Sequence, residues 1–68
     1  MSTETLHWTD TIAIAQALHD THPTVDPRTI RFTDLHRWIC ALEGFADPHN
    51  RSNEKILEAI QMAWIDEL

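Results

Sequence analysis

Apolar side chains recur at Leu35, Trp38, Ile39 and Leu42, the i, i+3, i+4, i+7 spacing of one helix face. The pattern predicts a helix starting at Thr33, whose hydroxyl suits an N-cap, with Asp34 in the first turn where a carboxylate favours the helix dipole. Gly44, the only glycine, stands where a left-handed C-terminal residue is wanted. Upstream, Ile14 and Leu18 share a side with Thr11 and Ala15, and Gln16, His19 and Asp20 fall on the other. This first helix is expected to be capped by Thr9 or Asp10 and to stop before Pro23, because a residue preceding proline avoids helical angles. Downstream, Ile56, Leu57, Ile60 and Trp64 form a third stripe, with Ser52 or Asn53 as cap and Glu54 in the first turn. Met62 and Ile65 fall nearly opposite that stripe, so this helix is expected to pack on two sides and to be central.

Between the first two helices, "HPTVDPRTIRF" holds two prolines that fix two backbone angles and remove two donors. Its end is β-branched but too short for a sheet. A stiff corner is expected there, plugged by Val25, Ile30 and Phe32. "FADPHNRSN" is the second loop. The expectation is an all-α, three-helix fold in a single domain over 1–68, with at most a short extended segment and with residues 1–7 as a flexible lead-in. Trp38, Ile39 and Leu42 are expected to face Ile60 and Trp64, and Trp8 to join them in the core. A chain of 68 residues hides only about 60% of its unfolded surface, so stability is marginal.

One cysteine leaves nothing to staple the fold and suits a reducing compartment. "MSTETLHWTD" lacks a basic region followed by an apolar run, and no apolar run nears the ~20 residues that cross a bilayer. A cytoplasmic protein with no membrane attachment is the expectation. Eleven carboxylates stand against five Lys and Arg, a formal charge of −6. Such a surface repels nucleic acid and anionic lipid and attracts cations and basic protein surfaces.

His36, Cys40 and Glu43 line up on the flank of the second helix. The spacing is metal-like but supplies at most three ligands, and zinc sites usually carry more thiolates or histidines from two elements. His7, His19, His22 and His49 show no paired spacing. A thiol nucleophile needs a base oriented by a third group inside a pocket. Cys40 is therefore expected to be a half-buried thiol filling a gap between helices, and no catalytic residue is assigned.

"WTD", then "DP" with "RFTDLHRWIC", then "SNEKILEAI" with "WIDE", come in the order and spacing of the IscX family. The resemblance spans residues 8 to 67. It implies a small, acidic, cytoplasmic protein of the bacterial iron–sulfur cluster assembly machinery, with a three-helix fold like a modified winged helix and no catalytic centre. It further implies a monomer that binds the cysteine desulfurase, competes there with frataxin and ferredoxin, binds ferrous or ferric iron weakly through carboxylates, and so adjusts cluster formation.

Asp10, Asp34, Glu43, Asp47, Glu54 and Glu58 match positions that are acidic in that family and are the expected partner-binding residues; Asp20, Asp26, Asp66 and Glu67 match too. Asp34, Glu43 and Asp47 are the expected weak iron ligands. Other acidic positions of the family are lost here: Ala13 and Gln16 replace glutamates of the first helix, Thr24 and Ala41 stand where an acid is frequent, and Gly44, Ala46 and Pro48 interrupt an aspartate run. What is left is "ADPHN", in which Asp47 has His49 as a neighbour. Iron binding is therefore expected to rank below partner binding, since chelation needs several oxygens on one ion. The alternative is a nucleic-acid-binding winged-helix module, in which the third helix meets phosphate. Here "NEKILEAIQMAWIDEL" offers Lys55 against four acids, the wrong sign for a groove.

Overall fold

The protein is described by a computed structural model over residues 5–68. Helix α1 covers Thr11–Thr21, α2 covers Phe32–Cys40, a 3-10 turn η1 covers His49–Arg51, and α3 covers Glu54–Asp66. The three α-helices bear out the predicted count and class. Among the described residues there is no strand, only an isolated parallel bridge between Leu6 and Phe45, so no β-hairpin wing is present. Among the described residues no helix is long and apolar enough to cross a membrane.

The core is one cluster. Ile14, Ala15 and Leu18 come from α1, Leu35 and Ile39 from α2, and Leu57, Ile60 and Trp64 from α3. Helix α3 packs mainly along α1 and also touches α2. Its predicted stripe is buried, but Met62 is 55% exposed. The expectation of packing on two opposite sides is therefore corrected: Met62 faces solvent, and Ile65 is half-buried. Trp38 and Leu42 are likewise half-buried rather than central. The indole of Trp38 spans the surface instead, stacking on His22 at 4.2 Å and tilting against Trp64 at 6.5 Å.

The caps divide. Asn53 behaves as expected, its Oδ1 accepting the Ile56 N–H at 2.9 Å, which satisfies an amide that the helix leaves orphaned. Asp10 sits at the N-cap of α1 but its side chain caps nothing there; Oδ2 turns back to accept the His7 N–H at 3.0 Å. Thr33 is not the cap of α2. The helix begins one residue earlier, after an extended Arg31, as the half-buried Phe32 packs on the core from the first helical position. Helix α1 does end ahead of Pro23. Gly44 takes φ 85° in a turn closed by the Phe45 N–H and the Leu42 C=O at 3.1 Å, a backbone conformation that glycine adopts without a steric penalty.

The corner at 22–31 is made of turns. Pro27 is fully buried, and its C=O accepts Gln61 Nε2 at 2.8 Å, tying the corner to α3. Val25, Ile30 and Phe32 are its half-buried plugs, as predicted. Of the expected flexible lead-in, residues 1–4 lie outside the described residues. Leu6 and His7 do not behave as a loose end: both are hydrogen-bonded to the segment that follows α2.

Candidate functional site

The acidic side chains fall into two sets. Asp26, Asp34 and Asp47 are engaged within the chain. Asp26 accepts from the Arg28 N–H and Nε, each at 3.0 Å, and the guanidinium holds its carboxyl below the usual range. Asp34, in the first turn of α2, lies 3.4 Å from Arg37. Asp10 gives one oxygen to the His7 N–H. Glu43, in the turn after α2, and Glu54 and Glu58, one turn apart on α3, are exposed and make no ion pair among the described residues.

Asp47 gives both of its oxygens to a segment distant along the chain. Its Oδ1 accepts His7 Nδ1–H at 2.6 Å and its Oδ2 accepts the Trp8 N–H at 2.9 Å. The hydrogen bond from His7 and that from Trp8 hold its carboxyl below the usual range; the same pairing holds the His7 imidazole above its own. The imidazole that meets Asp47 is thus His7, not the expected His49. His49 turns its ring towards Phe45 and His36.

Asp34, Glu43 and Asp47 are not gathered into one cluster. One is paired with an arginine, one stands alone, and the third has both oxygens taken. Among the described residues no three His, Cys, Asp or Glu side chains gather into a group that could hold a metal ion. Hard cations such as iron at carboxylates need several converging oxygens, and these residues do not supply them.

His36 and Cys40 are neighbours one turn apart on α2. The Cys40 sulfur is 3.9 Å from both ring nitrogens of His36. Nε2 lies 2.6 Å from the His49 C=O, and a carbonyl only accepts, so Nε2 carries the proton. Burial pushes the Cys40 thiol up, which suppresses the thiolate that nucleophiles and metal ligands require. The two residues line a shallow groove with Thr33, Arg37, Ala41 and His49. The half-buried space filler predicted for Cys40 matches this placement.

Residues 6–68 match the iron-sulphur cluster assembly family. The chain is also 53% identical over 62 residues to an uncharacterised protein of Pseudomonas aeruginosa, covering 91% of this chain and 94% of that one. The chain belongs to the IscX family of iron–sulfur cluster assembly proteins. Within this IscX-family chain, the motif that carried the resemblance is largely structural. Of "FTDLHRWIC", Leu35 and Ile39 are buried, His36 and Trp38 each stack on another ring, and Asp34 pairs within its own helix.

The pattern along the chain did not show the clasp around Asp47. His7 and Asp47 are 40 positions apart, and a lone histidine ahead of a helix carries no periodic signal. The Gln61 contact with Pro27 was equally hidden. The nearest available sign was the tryptophan itself: a large apolar residue at position 8 needs a seat, which Phe45 and His36 provide at ring distances of 4.7 and 5.5 Å.

Proposed function

We propose that this protein is a non-catalytic acidic adaptor of iron–sulfur cluster assembly that docks onto the cysteine desulfurase of the pathway and adjusts the rate of cluster formation. The observation that carries the reading is the set of unpaired, exposed carboxylates on a chain of net charge −6: Glu43, Glu54 and Glu58 point to solvent with no cation of their own among the described residues. A basic groove on a partner is the complement of such a surface, and charge complementarity of this kind gives fast, oriented encounter. Asp10, Asp34 and Asp47 contribute field more than contact, since each already has at least one oxygen engaged within the chain. Competition with frataxin and ferredoxin follows if those proteins use the same groove.

Iron enters this proposal only as a weak ligand of separate carboxylates, because the expected trio does not converge. Cys40, kept as a thiol, supports an adaptor over an enzyme. Duplex DNA is disfavoured: α3 exposes Glu54, Glu58 and Asp66 beside Lys55. An NMR titration of the labelled protein tests the reading. Adding desulfurase should shift the amides around Glu43, Glu54 and Glu58 first. Shifts confined to the Thr33–Cys40 groove, or none at all, contradict it.

A further inference from the structure

We infer that Leu6–Trp8 forms a strap that opens as a local unit, and that Asp47 is its clasp, so that the closed strap occupies both oxygens of the one carboxylate of the 45–53 loop. Five hydrogen bonds tie the strap to residues 44–48. The Leu6 N–H donates to the Gly44 C=O at 2.8 Å, and the Ala46 N–H donates to the Leu6 C=O at 2.9 Å. His7 Nδ1 and the Trp8 N–H both donate to Asp47, at 2.6 and 2.9 Å. Trp8 Nε1 donates to the Pro48 C=O at 2.9 Å.

None of these bonds belongs to a helix or to a continuing strand ladder. The parallel bridge stops at a single pair. Segments held this way, outside the main ladders, come from the low end of a protein's local stability. Trp8 anchors the strap in the core at 3% exposure and Leu6 packs partly buried against it, whereas Thr5, His7 and Thr9 are exposed. Two of the five bonds pass through one carboxylate, so the state of that carboxylate sets how firmly the strap is shut.

Opening has two linked consequences. It frees both oxygens of Asp47 from their donors, and it uncovers the rings of Phe45 and His36 against which Trp8 packs. His36 also reaches the His49 carbonyl and touches Cys40. The strap therefore governs at once whether Asp47 is available to a cation or a basic partner and whether the wall of the His36 groove is covered.

Native-state hydrogen exchange of the full chain, at low urea concentrations, tests this. The Leu6 and Ala46 amides should exchange at least about tenfold faster than those of Leu18 and Ile60, after correction for intrinsic rates, as local openings do. Their exchange should depend on urea less than that of Leu18 and Ile60, because opening exposes Trp8 and its neighbours but not the helical core. Asp47→Ala should speed Leu6 and Ala46 several-fold, and their exchange should stay faster and less dependent on urea than that of Leu18 and Ile60. Should Asp47→Ala fail to fold, His7→Ala, which removes a single clasp bond at an exposed side chain, is scored the same way. Equal protection and equal urea dependence at all four amides overturns the inference, because the strap then opens only with the whole domain; exchange of Leu6 and Ala46 unchanged in the variant overturns Asp47 as the clasp.

Discussion

Asp47 holds His7 across 40 positions of sequence: its Oδ1 lies 2.6 Å from the imidazole Nδ1, and its other oxygen takes the next residue's amide. Both groups titrate away from their ordinary values, His7 above 6.5 and Asp47 below 3.8. A raised histidine contributes stability that is complete below 6.5 and is lost as pH rises through its folded value. A depressed carboxylate contributes stability present above 3.8 and lost as pH falls through its folded value. The clasp is therefore firmest between 3.8 and 6.5. Melting curves of the parent and of His7→Gln should differ most in that window, and the gap should narrow as pH rises beyond it. A gap independent of pH contradicts the ion pair.

The two exposed-to-buried tryptophans of α2 and α3 should separate by mutation. Trp64 is wholly buried, so Trp64→Ala should cost about 3 to 5 kcal/mol and leave a marginal domain largely unfolded. Trp38 is half-buried, and Trp38→Ala should cost clearly less, because water already reaches part of its indole. Urea denaturation of the two variants checks the order; equal losses contradict the placement of Trp38 at the edge.

Asn53→Ala should destabilise the protein by about 1 kcal/mol through loss of the bond to the Ile56 amide. Thr33→Ala should change little by comparison, since Thr33 caps nothing. Chemical denaturation midpoints measure both, and a larger loss at Thr33 contradicts the helix start described for α2.

Cys40→Ala should lower stability modestly and leave desulfurase affinity unchanged, because the thiol fills space and burial keeps it protonated. A calorimetric comparison of the variant with the parent decides this. A marked fall in affinity assigns Cys40 a role at the interface.

The helices were legible because their signal is local. Leu35, Ile39, Ile60 and Trp64 announce buried faces through spacing alone, and all four are fully buried. Thr33 misled because capping chemistry competes with the pull of a neighbouring apolar side chain, here Phe32, which draws the helix start back by one residue. Met62 misled because periodicity gives the direction of a side chain around its helix but not what waits there. The candidate site was least legible. Acidic residues look alike in sequence, and only contacts distant along the chain distinguish Asp47, bound by His7 and Trp8, from Glu54 and Glu58, which face water. The expected iron trio failed for that reason, while the charge total that motivates docking survives every such pairing.

The docking reading is tested most directly by calorimetric titration of the protein into the cysteine desulfurase at low and high salt, with the double variant Glu54→Lys, Glu58→Lys measured alongside. Exposed pairs are each worth roughly 0.2 to 1 kcal/mol and are screened by salt. The account predicts binding that weakens progressively with salt and that the double reversal weakens strongly, in a variant that remains folded. Binding of equal strength at both salt concentrations, or a double variant that binds as the parent does, contradicts it.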